Sequence, residues 1–420
     1  MIKHWYSYVL VVLFISLTGS ICAQQCKASS IRRARTFANP ALLHKIQQIE
    51  NHTQNWIRNN QDHIQLREVI TLPVVVHVLW RTETENISIE QIESQMKVLN
   101  DDFRLMNQNF SFTPTAFKSL AADVEIEFCL ASMDPNGNPT NGITRTQTDI
   151  INIGETEAWY STAAGGKDPW NINEYINIWV CDIGGEETLG FASFPGTADP
   201  PQSDGLVIGH RYFGTTGTAN FSRPNHLGRT ATHEMGHYFN LEHIWGEEAG
   251  DCNIGDFVSD TPRQYEDSFG CPNYPLRDDC TPGGNGVMFV NYMDYTDDAC
   301  MSVFTHGQKA RMLATLGGPR SRLLSSNGCN LLTNTSQVQM KNTIMHLFPN
   351  PSQGMINLQL EQMNTSQKDL HYEVRNLHGQ VIKSWEGGPS QTIITSDWIR
   401  GVYIFSCLEY PKISQKLVVQ

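Results

Sequence analysis

Beyond its first two dozen residues the sequence has no long apolar run, which leaves no candidate for a transmembrane helix. Positive charge is also scarce. Lys and Arg number 30 against 43 Asp and Glu, a formal net charge of −13. That balance argues against a nucleic-acid partner and suits basic peptides or cations. No internal repeat is present, so repeat architectures drop out. Charged residues make up only 17% of the chain and hydrophobic residues 40%, so the chain can bury a sizeable core and is not disordered. Its 420 residues predict roughly two to three folding units.

The opening stretch MIKHWYSYVLVVLFISLTGSICAQ has a basic start at Lys3, a short apolar core from Val9 to Leu17 and small residues up to Ala23. It reads as a secretory signal over residues 1–23, far short of the ~20 apolar residues that span a bilayer. Export leads to an oxidising compartment, where disulfides persist. Cys252, Cys271, Cys280 and Cys300 cluster in a loop-rich region and read as two bridges, with three connectivities open. Cys26 stands alone near the mature start. Residues 24–66 carry +4, whereas the chain from Arg67 onward carries −18. A basic leader ahead of an acidic body suggests a pro-segment docked by charge.

The run LPVVVHVL at 72–79 reads as a buried strand, and Ile89, Ile92, Met96, Leu99 and Phe103 follow at helical spacing. VEIEFCLA, YINIWVCDI and DGLVIG read as further strands, and LGFASFPG as a short edge strand ending in Pro-Gly. Strands with a helix between them predict an α/β (α+β) catalytic unit with a mixed sheet over residues 67–324. A polar linker over 325–342 precedes short alternating runs, expected to form an all-β sandwich over 343–420.

The chemistry concentrates in HEMGHYFNLEH, residues 233–243. On a helix, His233 and His237 lie on one face a turn apart, where both can reach one Zn²⁺. Glu234 is rotated by about 100° and faces a water beside the metal rather than the metal itself. His243 comes six residues after His237, about 240° around a continuing helix, pointing away. It can join the site only if the helix stops and the chain reverses. Asn240, tolerant of positive φ, stands where that reversal must begin.

These residues resemble the metzincin zinc peptidases, and the wider chain resembles the pappalysin family in PVVVHVLW, FCLASMDPNGNPTNGITR, YINIWVCDI, GFASFPG, GDFVSDTP and NYMDYTDDACM. The resemblance implies a five-stranded mixed sheet with an active-site helix, and His233, His237 and His243 as ligands of one catalytic zinc. Glu234 is then the general base, acting on zinc-activated water. Tyr295 assists the reaction, Met293 forms the methionine turn, and residues 189–194 are the edge that binds substrate. Asp298 selects Arg or Lys just after the cut. Structural calcium is implied, with Asp256 and Thr261 the chosen ligands in a loop that also offers Asp260. The implied disulfides are Cys252–Cys280 and Cys271–Cys300. Cys26 becomes a latency cysteine, and Leu66–Arg67 a candidate self-activation bond. FPNPSQG, VRNLHGQVI, GVYIF and KLVV resemble the sorting domains of type IX secretion cargo of Bacteroidetes. They imply passage to the outside or the cell surface through secretion machinery. The expected protein is a secreted zinc endopeptidase made as a zymogen, acting on proteins or peptides with basic residues. Two alternatives are a surface binding protein with structural zinc and a zinc hydrolase of other substrates. An intact Glu234 beside an open metal position argues against the first.

Overall fold

The structure is a computed structural model that describes residues 26–60, 69–185, 187–219, 224–247, 249–329, 344–361, 370–376, 381–407 and 410–419. The signal 1–23, the Leu66–Arg67 bond, linker residues 330–342 and part of VRNLHGQVI lie outside them. The chain forms two compact units, residues 1–332 and 333–420. Among the described residues, no helix is long and apolar enough to cross a membrane.

The first unit opens with two helices from the basic leader, α1 (Ala28–Ala38) and α2 (Ala41–Asn60). Strand β1 (Ile70–Trp80) follows, buried from Leu72 to Leu79 as its β-branched run requires. Helix α3 (Ile89–Phe103) starts where Ser88 accepts the Gln91 N–H. Its Ile92, Met96, Leu99 and Phe103 face the sheet, whereas Ile89, in its first turn, stays 45% exposed. The short α4 (Thr115–Lys118) precedes strands β2 (Ile126–Leu130), β3 (Ile143–Gln147), β4 (Ile176–Cys181), β5 (Gly190–Ala192) and β6 (Leu206–Gly209).

The sheet order is β2-β1-β4-β6-β5. Both β2 and β3 pair with one side of β1, at residues 70–74 and 76–80. Six strands therefore fill five positions, and the expected five-stranded mixed sheet is the one observed. All pairings are parallel except β5 with β6, so the edge strand runs antiparallel. Against this sheet pack α3 and helix α5 (Arg229–Tyr238), and helix α6 (His306–Leu316) lies across α2. Buried Val, Leu, Ile and Phe side chains here contribute about 1.5–3 kcal/mol each to the core. The chain stays on this unit past the expected boundary at 324. Cys329 is bonded to Cys129, and the Ser132 N–H donates to the Gly328 carbonyl. That bridge spans 200 residues, too far for sequence spacing to suggest it.

The second unit is all-β. Strands β7 (Ile344–Phe348), β8 (Met355–Glu361) and β11 (Ser390–Ile394) form one antiparallel sheet. Strands β9 (Leu370–Asn376), β10 (Val381–Gly387), β12 (Gly401–Cys407) and β13 (Tyr410–Val419) form the other. Inward residues such as Ile356, Leu358, Tyr372, Val374 and Phe405 make their common core.

Candidate metal centre and active site

Helix α5 begins after Gly228, at φ +79°, whose carbonyl accepts a hydrogen bond from Gln95 Nε2. His233 and His237 project from one face, ring centroids 4.7 Å apart. The helix ends at Tyr238 and Asn240 adopts φ +71°. The Leu241 N–H reaches the Gly236 carbonyl at 3.0 Å and the Asn240 N–H the His237 carbonyl at 2.9 Å. These are the paired bonds of a Schellman turn, with asparagine in the place glycine usually takes. The reversal carries His243 back to the helix face.

The three Nε2 atoms lie 3.1, 3.1 and 3.3 Å apart. His233 Nδ1 donates to the Tyr292 carbonyl and His237 Nδ1 to the Leu241 carbonyl, both at 2.7 Å. A carbonyl only accepts, so both Nδ1 atoms carry the proton and both Nε2 atoms present lone pairs. Burial holds all three rings neutral, His233 lowered to about 4 and the other two well below their ordinary value. Converging lone pairs repel unless a cation sits among them. A tetrahedral ion with ligands at ~2.0–2.1 Å separates them by roughly 3.3–3.4 Å, close to the spacing found. The residues fit zinc.

Cys26 Sγ joins this group, with the four ligand atoms all within 4.8 Å of one another. It is the one such cluster of His, Cys, Asp or Glu among the described residues. Burial, then the nearby Glu234 carboxylate, push the Cys26 thiol well above its usual value. Glu234 is buried, Oε2 has no partner among the described residues, and burial raises its carboxyl to about 8, opposed by a hydrogen bond with Cys26. The Tyr295 hydroxyl lies 3.0 Å from His243 Nε2 and 3.4 Å from the Cys26 carbonyl. Met293 is fully buried under the helix. A Cβ at Gly236 would meet its sulfur at 2.4 Å, which explains the glycine between the histidines.

The leader seals this site. The Lys27 N–H donates to the Gly190 carbonyl of β5 at 3.4 Å. Arg32 pairs with both oxygens of Glu242, at 2.6 and 2.8 Å, and with Glu247. Charge docking also runs the other way: Glu50 of α2 takes Arg311 of α6 at 2.9 and 3.0 Å. Arg311 in turn donates to the Asn240 carbonyl at 3.2 Å. The sequence does not single out Arg32, Glu50 or Arg311. Nothing local distinguishes them from other charged residues.

Asp298 is completely buried rather than a surface turn residue. Its Oδ2 accepts from the Leu227 and Arg229 N–H groups at 2.7 and 3.2 Å, and Oδ1 has no partner among the described residues. Burial raises its carboxyl to about 6, opposed by Arg229. The Arg229 side chain points to Asp102, which also accepts from Thr232 and Tyr292. In the loop after the helix, the Thr261 hydroxyl lies 2.8 and 2.9 Å from the oxygens of buried Asp256. Asp260 is engaged elsewhere, accepting from Thr305 and the Gly307 N–H at the start of α6. Disulfides join Cys252 to Cys280 and Cys271 to Cys300.

A histidine pair on a helix, completed by a third histidine beyond a turn and floored by a methionine, defines a zinc metalloendopeptidase. Residues 162–317 match the peptidase family of pregnancy-associated plasma protein-A, and residues 346–420 match the secretion system C-terminal sorting domain. The chain is 32% identical over 251 residues to an extracellular metalloprotease of Arthroderma benhamiae, spanning 58% of this chain and 76% of that one. A similar protein of Coccidioides posadasii is 31% identical, over 59% and 77%. Among solved structures, mature mirolysin of Tannerella forsythia in complex with a cleaved peptide superposes with a TM-score of 0.59 at 47% identity, covering 62% of this chain and 97% of that one. A promirolysin point mutant from the same organism gives 0.64 at 42%, covering 72% and 97%. The chain belongs to the pappalysin family. It is a secreted metalloprotease of zymogen type with a C-terminal sorting domain.

Proposed function

We propose that this zymogen matures into an endopeptidase that cuts before arginine or lysine, with Glu234 as its general base. The observation that carries the reading is the convergence of three Nε2 atoms beside Glu234, whose Oε2 has no partner among the described residues. His233, His237 and His243 would hold the zinc, which when bound supplies Lewis acidity to a water and the scissile carbonyl. Glu234 takes the proton of the attacking water and passes it to the departing amine. Tyr295 donates its hydroxyl to the carbonyl oxygen as charge develops there. Substrate main chain adds to the edge strand β5, a role supported by the Lys27–Gly190 bond already made there. Asp298 supplies the charge that selects the residue after the cut, and its unpartnered Oδ1 supports that role.

Cys26 covers the open side of the metal site in the zymogen, and cleavage near residue 66 releases it. Asp256 and Thr261 serve a structural calcium ion. The sorting domain directs the chain through type IX machinery to the surface or medium of a Bacteroidetes-like cell and is then removed. The test is cleavage of a mixed peptide library by the activated chain, with and without chelator, beside Glu234→Ala. Chelator-sensitive cuts before Arg and Lys, lost in the variant, are expected. Cleavage that survives chelation sinks the zinc reading, and cuts without basic residues after them sink the Asp298 assignment.

A further inference from the structure

We infer that the seat of Arg32 is a second guanidinium-binding subsite of the cleft, which takes an arginine of the substrate on the side before the scissile bond once the leader has gone. The inference rests on the peptidase reading above and adds a recognition element to it. Arg32 is held as a bound ligand would be. Its two terminal nitrogens meet the two oxygens of Glu242 at 2.6 and 2.8 Å, fork on fork. A second carboxylate, Glu247, reaches the same nitrogen from the exposed side. The guanidinium carbon lies 3.9 Å from the ring centroid of Phe194, which gives it an aromatic floor. The Arg32 side chain keeps only 6% of its exposure.

Glu242, Glu247 and Phe194, the groups that hold the guanidinium, all belong to the catalytic unit and stay when the leader leaves. Glu242 immediately precedes His243, and Phe194 lies two residues beyond β5, its ring centroid 4.9 Å from that of His237. The seat is thus within a side chain's reach of the reacting centre. Its position along the cleft follows from α5. Asp298 is anchored at the start of the helix by Leu227 and Arg229, whereas Glu242 follows its end. If Asp298 reads the residue after the cut, Glu242 faces residues before it. The leader's main chain meets β5 at Gly190, the same edge a substrate would use, and Arg32 then projects into the seat from α1. The bidentate geometry and flat aromatic contact select arginine over lysine, whose ammonium is a point charge without a fork.

The test uses the full chain after release of its leader and peptides with Arg after the cut. Each of the four positions before the cut carries in turn Arg, Lys or norleucine. At one of them, Arg is expected to raise kcat/KM about 10-fold over norleucine, with Lys between. In Glu242→Gln that ratio falls to near one, and in Glu247→Gln it falls part of the way. Because the ratio is read within each variant, a general loss of activity cancels. Should Glu242→Gln not fold, Glu247→Gln and Phe194→Leu serve instead, and an unchanged ratio in both overturns the subsite. A ratio near one in the wild type at all four positions also overturns it, while chelator-sensitive cleavage leaves the peptidase reading standing. Absence of any such cleavage overturns both.

Discussion

The two ends of α5 make opposite use of buried charge. At its start, Asp102 accepts from Thr232 and Tyr292 and pairs with Arg229, whose own N–H holds Asp298. All of these groups belong to the catalytic unit. At its end, the polar groups around the turn are completed by the leader: Glu242 by Arg32, and Arg311, which grips the Asn240 carbonyl, by Glu50. The first network lies within the catalytic unit, and the second is the one that the proposed maturation opens. A buried ion pair that loses one partner costs several kcal/mol unless the remaining charge regains water. Releasing the leader gives Glu242 and Arg311 that water, so the cleft can lose its plug without leaving charges stranded.

The largest expected effect tests the part both ends share. Glu234→Ala should lower cleavage by about 10²–10⁴-fold while zinc content by metal analysis stays at one per chain. Retained activity would mean that neither end positions a base. Next comes the start of the helix. Asp298→Asn should lower kcat/KM on Arg and Lys peptides by roughly 10–10³-fold and leave neutral peptides nearly unchanged. An equal loss on both classes would make Asp298 a structural residue only. At the opposite end, Asn240→Val should cost about 1–3 kcal/mol, because a β-branched residue resists φ +71°. It should weaken zinc retention in competition with a chelator, whereas Asn240→Gly keeps it. If both variants hold zinc equally, the turn does not position His243.

The smallest effect is a pH dependence. With its carboxyl raised to about 6, Asp298 is charged above that pH and neutral below. The KM for Arg peptides should therefore climb as pH falls through about 6, and climb less for neutral peptides measured alongside. Asp102 and Arg229 face the same carboxyl, so a shift of this step in a conservative variant at either position would sharpen the contrast between the ends. The same raised value makes the folded state gain stability as pH falls from about 6 toward the ordinary aspartate range, since the neutral form is the one burial favours.

Much of this was legible before any coordinates. The β1 run, the α3 spacing and the short alternating strands of the second unit follow from periodicity, and the observed elements lie where periodicity puts them. Ile89 departs from the pattern because it occupies the first turn of α3, before the helix meets the sheet. The reversal at Asn240 was also readable, since six residues of helix turn a side chain away from its start and only a residue tolerant of positive φ lets it return. The Cys129–Cys329 bridge was not, because its partners are brought together by β2 and the chain's return after α6, not by local spacing. Arg32 and Glu50 were equally hidden: each is one charged residue among several in a helical leader.

Local chemistry therefore determined the kind of site: imidazoles one turn apart, a carboxylate beside them and an asparagine that can reverse the chain are all set by residues within eleven positions. Only the tertiary structure decided which distant groups close that site. Cys26 reaches the histidines, Arg32 reaches Glu242, and Met293 fills the space left by Gly236. Those contacts join residues dozens to hundreds apart in the chain. The free energy that selects them comes from burial and charge pairing across the whole fold, which no local pattern encodes.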